Sequence, residues 1–257
     1  MNIKTKTMAA AMLFCLWFMN ITASGAYGAE TSEKLDAQAL IRQVETQYQG
    51  ETSHTIMHMK VVTEAYSREM TLEGWSEGRD RFLAKILAPK KDEGTATLKI
   101  GDEMWNYLPK IDRLIKIPSS LMGDSWMGSH LTNDDLVKEN KIDELYTFEI
   151  EKVEKPMATI ICTPKPDAAV VWDKVVYRID IDKKIPIDVT YFDESGKPVR
   201  TMTFDMVKQV SRRWVPMRMK VQPTEKPGEM TELTYENLEF DVKLPKDYFS
   251  IRSLRRP

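Results

Sequence analysis

The side chains able to do acid–base, nucleophilic or metal chemistry are few, and their spacing does not bring them together. His54 and His58 have the spacing of a helical metal pair, but their neighbours alternate as in a strand, where the two would lie roughly 13 Å apart. Asp134 and Asp135 follow Thr132-Asn133, a pattern typical of a helix start, where carboxylates accept hydrogen bonds from free N–H groups. The chain has no G-x-S-x-G, P-loop, C-x-x-C or H-E-x-x-H motif. We therefore expect a protein that is not an enzyme and that holds neither a metal nor a cofactor.

The two cysteines do not indicate redox chemistry. Cys15 lies inside an N-terminal apolar run, and Cys162 ends the apolar run Ala158–Cys162 with no histidine or acid beside it. Once the N-terminal run is removed, a single thiol cannot form an intramolecular disulfide, so an apolar core must hold the chain together. We expect Cys162 to be a buried structural thiol.

The segment Gly101–Asn140 favours the binding of an apolar ligand. It combines three large aromatic side chains with three methionines, namely Met104, Trp105, Tyr107, Met122, Trp126 and Met127. Methionine is flexible and polarisable, so it suits a site that must fit ligands of varied shape. Met217 and Met219 are two positions apart, and in a strand they would point to the same face. Together these residues favour a pliable apolar cavity, with ordinary core packing as the alternative interpretation.

Alternation with a period of two dominates the chain after one amphipathic helix. The helix is predicted over Asp36–Tyr48, where apolar residues recur every three or four positions and Gly50 ends the run. Short strands bounded by Gly, Pro or acidic turns follow. The predicted strands are Thr55–Thr63, Glu69–Glu77, Arg81–Leu87, Thr95–Ile100, Glu103–Leu108, Arg113–Ile117, Leu145–Val153, Ala158–Thr163, Lys174–Ile181, Pro186–Phe192, Pro198–Val207, Arg213–Gln222 and Glu229–Phe240.

These strands predict one mostly antiparallel sheet, because turn signals recur about every ten residues without a βαβ rhythm. In Arg213–Gln222 apolar residues alternate with Arg218 and Lys220, so one face of the sheet is apolar and needs a cover. Pro118–Asn140 breaks the alternation and contains the helix-start residues Ser119 and Asn133. We expect short helices there and the N-terminal helix to cover the apolar face, within a single domain over residues 29–257.

The N-terminus has the composition of an export signal. Lys4 and Lys6 precede the apolar stretch Met8–Phe18, and the small residues of Ser24–Gly28 fit a cleavage site. The apolar stretch is too short to span a bilayer. We therefore expect residues 1–28 to be a cleaved signal peptide and the mature protein to be exported to the periplasm.

The charge balance excludes some partners. The formal net charge of the whole chain is −2, and removal of two lysines with the signal peptide makes it about −4. Nucleic-acid binding needs a basic face, and adhesion to anionic lipid head groups needs basic clusters. We expect neither kind of partner.

Three short motifs resemble those of a known family. They are W-N-Y-L-P at Trp105–Pro109, D-S-W-M-G-S at Asp124–Ser129 and T-N-D-D-L at Thr132–Leu136. In this combination the chain resembles the LolA-like outer-membrane lipoprotein-sorting family, and in particular its larger members often associated with RND-type exporters. The resemblance covers nearly the whole mature chain, to the closing Leu244–Phe249.

The resemblance implies a mainly β fold: a strongly curved antiparallel sheet forming an incomplete β-barrel, whose concave face is covered by an N-terminal helix and short lid helices. It also implies an arginine that holds the lid, for which Arg79 and Arg81 are candidates by position. The candidate ligand-binding residues of cavity and lid are Met104, Trp105, Tyr107, Trp126, Met127, Met217 and Met219.

The resemblance implies a periplasmic carrier or chaperone that binds lipoprotein acyl chains, or another hydrophobic lipid, and shuttles them towards the outer membrane. An inner-membrane transporter and an outer-membrane acceptor are its candidate partners, and we expect a monomer. The alternative is an accessory or sensor domain of an RND-type exporter or envelope-stress system that acts through protein–protein contacts.

Overall fold

Thirteen antiparallel strands form one sheet in the computed structural model, which describes residues 35–47, 50–138 and 141–255. The strands are β1 (Thr52–Val62), β2 (Ser67–Glu77), β3 (Arg81–Ala88), β4 (Ala96–Ile100), β5 (Glu103–Leu108), β6 (Arg113–Lys116), β7 (Tyr146–Glu154), β8 (Met157–Pro164), β9 (Lys174–Asp180), β10 (Ile185–Phe192), β11 (Pro198–Val210), β12 (Arg213–Pro223) and β13 (Met230–Phe240).

The strand order shows how the two halves of the chain meet. It runs β6-β5-β4-β3-β2-β1-β13-β12-β11-β10-β9-β8-β7. Strands that follow each other in sequence therefore pair, except β6 and β7, and β1 pairs with β13. The edges of the sheet are β6 and β7, which are not paired with each other among the described strands. The sheet is therefore an unclosed barrel, and residues 117–145 connect its two edges.

Within the described residues, four short α-helices accompany the sheet: α1 (Ala37–Thr46), α2 (Asn133–Lys138), α3 (Ile142–Leu145) and α4 (Ile251–Leu254). Helix α1 begins where the Asp36 side chain accepts a hydrogen bond from the Ala39 N–H at 3.1 Å, a standard N-cap. The described part of the chain also contains 3₁₀ turns at Pro109–Ile111, Ser119–Leu121 and Trp126–Gly128.

The main apolar core lies on the concave face of the sheet, beneath α1 and the segment that connects the edges. On β1 every second side chain from Met57 to Val61 enters this core. Leu40, Ile41 and Val44 of α1 contact the same core. A second apolar cluster lies on the outer face of β3–β5, where α4 and the preceding Tyr248-Phe249 cover it.

The predicted fold class is confirmed, and the predicted strands match the observed ones to within a few residues. The N-terminal helix and the helices beginning near Ser119 and Asn133 are also present. Helices α3 and α4 were not predicted, because four residues are too few to show a helical period. The predicted signal peptide, residues 1–28, lies outside the described residues.

Candidate functional site

A cavity of about 270 Å³ lies between the concave face of the sheet and the covering helices α1 and α2. Its wall is mostly apolar and draws on β1, β2, β3, β4, β9, β10, β11, β12 and β13. The apolar side chains in the wall are Val44, Met57, Phe82, Leu136, Tyr177, Pro186, Val189, Phe204, Pro216, Met219, Tyr235 and Leu238. Small-molecule pockets commonly enclose roughly 300–1,000 Å³, so the volume of this cavity lies just below that range.

Helix α2 covers the cavity and is held by a capping box at its start. The Thr132 hydroxyl accepts from the Asp135 N–H at 3.1 Å, and the Asp135 carboxylate accepts from the Thr132 N–H at 2.7 Å. This reciprocal pair satisfies two N–H groups that would otherwise lack partners at the helix start. The sequence interpretation of this acidic pair as helix-capping is therefore confirmed for Asp135.

Asp135 has a second role that the sequence did not predict. Arg200 on β11 donates to both of its carboxylate oxygens, each at 2.6 Å, and both side chains are buried. The Arg200 guanidinium also lies over the rings of Trp172 and Tyr191, at 4.6 and 4.3 Å. A bidentate, stacked arginine of this kind fixes orientation as well as distance, so it holds α2 against the sheet.

Arg79 holds the other helices in the same way. It follows β2 in the turn before β3, and it donates to both carboxylate oxygens of Asp143 in α3. Its guanidinium also lies 3.5 Å from Glu45 at the end of α1 and 3.5 Å from Glu144. One arginine at the cavity edge therefore joins the sheet to both α1 and α3.

Lys99 adds a buried ammonium group to the cavity wall. Its residue is 1% exposed, and its Nζ donates to the carbonyl oxygen of Arg79 at 2.8 Å. Burial, followed by repulsion from Lys141, lowers the pKa of Lys99 to about 8. At neutral pH the cavity wall therefore contains a charged ammonium that has lost most of its hydration.

Three of the residues proposed from the sequence contribute to the cavity wall: Met219, Arg79 and Arg81. Arg81 pairs with Glu77 on the adjacent strand rather than with a helix, so Arg79 has the geometry expected of a residue that holds the cover.

Trp126 and Met127 lie in the connecting segment between the sheet edges. Trp126 is buried, donates its indole N–H to the Thr97 hydroxyl at 3.1 Å and meets the ring of Phe82 edge-on. Met127 has a positive φ of 50° and packs against the main core. Both belong to the cover of the concave face, and Trp126 contacts a side chain of the cavity wall.

The other four proposed residues lie elsewhere. Met104 is fully buried in the main core. Trp105 and Tyr107, which alternate with it on β5, belong to the cluster on the outer face. Met217 belongs to a third cluster with Val215, Leu238 and Phe240.

Arg200 and Lys99 were missed because each looks like a solvent-facing residue of an alternating strand. Both faces of β4 are buried around Lys99, since Ala96, Thr97 and Leu98 are also buried. The sequence offered one signal for Arg200. It is two positions from Met202 and therefore shares its strand face, so a charged residue interrupts an apolar face.

The cysteine and two of the histidines considered from the sequence lie in separate environments. Cys162 is buried, as predicted, and burial raises the pKa of its thiol. His54 and His58 each pair with a separate glutamate, Glu73 and Glu236. No group of three or more metal-ligating side chains occurs between residues 35 and 255, the gaps at 48–49 and 139–140 apart.

Comparison with known proteins defines the class of this fold. Residues 78–256 match the model of a protein family described as "Uncharacterized protein", and the chain belongs to this family. A search of curated proteins gave no match. Across the described helices, none is long and apolar enough to span a membrane.

Solved structures give the relationship in more detail. A Vibrio parahaemolyticus domain assigned to outer-membrane lipoprotein sorting is 25% identical, with a TM-score of 0.74 over 86% of this chain and 98% of its own. A Desulfovibrio piger protein of the DUF1329 family is 22% identical, with a TM-score of 0.77 over 85% and 97%. A Nitrosomonas europaea protein of the LolA superfamily is 16% identical, with a TM-score of 0.69 over 85% and 99%. The fold of this chain is LolA-like.

Proposed function

We propose that this protein is a periplasmic carrier that binds lipoprotein acyl chains or another hydrophobic lipid and shuttles it towards the outer membrane. The observation that carries the proposal is the apolar cavity on the concave face, under helices that polar contacts hold in place. The fold shared with the lipoprotein-sorting domain of Vibrio parahaemolyticus supports it. Residues 29–257 would form one carrier domain after removal of the signal peptide.

The physical requirement for such a carrier is strong but reversible binding. Each buried methylene contributes about 0.8 kcal/mol, so an acyl chain does not cross water unaided. When cargo displaces the cover, the contacts of the cover are lost while those of the cargo form. The net free energy of binding is therefore only the difference between the open, loaded state and the closed, empty state. In this protein Arg200–Asp135 and Arg79–Asp143 hold the cover against the sheet, and we expect cargo that displaces the cover to break these contacts.

Nothing in the cavity wall suggests catalysis as well as binding. Its carboxylates from Glu45 and Asp135 are engaged by Arg79 and Arg200, and Cys162 is not among the wall residues. We propose a carrier without a cofactor that acts as a monomer between an inner-membrane donor and an outer-membrane acceptor.

The direct test is extraction of the purified protein with organic solvent, followed by mass spectrometry of the lipids that co-purify. A carrier is expected to retain lipid in a stoichiometric amount. Met219→Trp fills the cavity wall and should abolish this lipid, while Met206→Trp, at an exposed position on β11, should retain it. Protein that is empty from several expression hosts and takes up no acyl probe would favour the accessory or sensor function.

A further inference from the structure

The wall of the cavity contains a buried cation without an anionic partner in the described residues. Lys99 donates to the Arg79 carbonyl oxygen at 2.8 Å, which uses one of its three N–H groups. It forms no ion pair with any carboxylate among residues 35–47, 50–138 and 141–255. A buried charge is normally paired or coordinated, because desolvation without compensation is expensive.

Asp80 and Asp102, whose charges act on Lys99, and the two acids beside Arg79 already serve other cations. Asp102 and Asp80 lie 2.8 and 3.7 Å from the ammonium of Lys141. Asp143 accepts from Arg79, and Glu45 lies 3.5 Å from the same guanidinium. The geometry thus leaves the ammonium of Lys99 available to an anion that enters the cavity.

Strand register places Lys99 at a polar end of the concave face. Ser53, Ser76, Phe82 and Lys99 are consecutive partners across β1, β2, β3 and β4, so they form one row on the same face. Three of these four side chains are polar, and the Ser53 and Ser76 hydroxyls lie 2.6 Å apart.

The polarity falls along the strands away from that row. The next row contains Thr55, Gly74, Ala84 and Thr97. The row after it contains Met57, Leu72 and Ile86, all buried in the apolar core. Two residues along a strand span roughly 7 Å, so the concave face passes from an ammonium to pure hydrocarbon over about 14 Å.

We propose that the cavity selects a single-chain amphiphile with an anionic head group, a carboxylate or a phosphate, that pairs with Lys99 while its tail lies over the apolar rows. This inference rests on the proposed carrier function and names its cargo class. A single chain fits the volume of about 270 Å³ better than a multi-chain lipid. A hydrogen bond to a charged group is stronger than one between neutral groups, so the head group gives selectivity and the tail gives affinity.

The test compares three ligands that share one acyl chain: palmitate, palmitoyl lysophosphatidate and neutral monopalmitin. Their affinities are measured at pH 7 by displacement of a fluorescent acyl probe from the full chain. We expect at least one anionic ligand to bind about tenfold more tightly than monopalmitin. The stronger of the two anionic ligands identifies the head group as carboxylate or phosphate.

Two lysine variants separate the head-group site from general charge. Lys99→Met removes the ammonium with little change in length, and it should abolish the anionic preference while monopalmitin affinity stays within about twofold. Lys141→Met, at the neighbouring ion-paired lysine outside the cavity wall, should keep the preference. If Lys99→Met does not fold by circular dichroism, Lys99→Gln takes its place, and Lys99→Arg should retain the preference.

The outcomes distinguish this inference from the carrier function. Equal affinity of the wild type for all three ligands, or an undiminished preference in Lys99→Met, overturns the head-group assignment but leaves the carrier function standing. Failure of every ligand and of the probe to bind overturns both. A drop in affinity for all three ligands alike in Lys99→Met shows a structural lysine and also overturns the assignment.

Discussion

Arg200 on β11 holds α2 against the sheet through its contact with Asp135. Both are buried, and the two hydrogen bonds between them are 2.6 Å long. Such a pair adds little net stability compared with apolar residues of similar size, but the loss of one partner leaves the other charge buried alone. The pair therefore specifies the closed position of α2 more than it stabilises the protein as a whole.

We predict that Arg200→Met lowers the free energy of unfolding by about 3–5 kcal/mol. The physical reason is that Asp135 then remains buried without its cation. Urea denaturation measures the change, and the double variant Arg200→Met/Asp135→Leu should recover much of the loss. A double variant as unstable as the sum of the two single variants would contradict this explanation. The exposed pair Arg218–Asp205 is the control, and Arg218→Met should have a much smaller effect.

Because burial lowers the pKa of Lys99, we predict that the free energy of unfolding of the ligand-free protein depends on pH. The pKa of Lys99 is about 8 in the folded chain, against an ordinary value of 10.5. The unfolded chain therefore binds more protons between these two values, and the stability of the wild type rises with pH over that range. Below about pH 8 the lysine is charged in both states and its full desolvation penalty is present.

The measurement is the free energy of unfolding of the wild type and of Lys99→Met from pH 7 to 11. Since the variant lacks this titration, the wild type should gain up to about 3 kcal/mol relative to it as the pH rises. The other titrating groups are common to both proteins, so they cancel in the difference. Parallel curves for the two proteins would show that Lys99 keeps its ordinary pKa when buried.

At the scale of elements, two different segments cover the two faces of the sheet. The concave face is covered by α1 and by residues 117–138 and 141–145, which surround a cavity and are held partly by ion pairs. The outer face of β3–β5 is covered by the C-terminal segment, where Leu254 is 1% exposed and packs against Leu83 and Leu98. The cover of the concave face, which surrounds a cavity, is suited to opening. The cover of the outer face, which packs on an apolar cluster, is suited to staying closed.

We predict that Leu254→Ala destabilises the protein by about 2–5 kcal/mol, as expected for a large-to-small change in a packed core. Because Leu254 lies on the face opposite the cavity, acyl-probe affinity of the folded variant should not change. Ile251→Ala in the same helix is the control, since Ile251 is 45% exposed and should have a small effect. Loss of probe binding in folded Leu254→Ala would show that the two faces are coupled.

At the scale of the whole molecule, the barrel remains open because its two edge strands do not pair with each other in the described sheet. Strands β6 and β7 lie at opposite ends of the order, and the segment that joins them carries α2 and α3. The described part of the segment between the two edge strands therefore covers the cavity. Ligand binding to such a cavity is coupled to the stability of the entire sheet.

We predict that a bound amphiphile stabilises the folded protein by mass action. At a free concentration about 100 times its Kd, the free energy of unfolding should rise by about 2.7 kcal/mol. Thermal or urea denaturation with increasing palmitate measures this change. Met219→Trp should show no ligand-dependent increase, whereas Met206→Trp should behave like the wild type. Equal stabilisation of both variants would place the binding site outside the cavity.

The sequence by itself determined the strands, the N-terminal helix and the burial of Cys162, and its resemblance to a known family implied the incomplete barrel. Period-two alternation is a local consequence of strand geometry, so Lys174–Ile181 and Arg213–Gln222 were predicted nearly to their ends. Helix α3 escaped prediction because four residues give no periodic signal, and tertiary contact with Arg79 helps to hold it.

Only the tertiary structure decided which residues share the cavity. Trp105 and Met104 are neighbours in sequence, yet alternation sends them to opposite faces of β5. Arg200 and Asp135 are 65 positions apart and meet because the connecting segment crosses the concave face. Whether a strand face is lined by solvent, core or cavity depends on what packs against it, and that information is non-local. The sequence could therefore predict an apolar face with a cover, but not the ion pairs that hold the cover or the lysine within its wall.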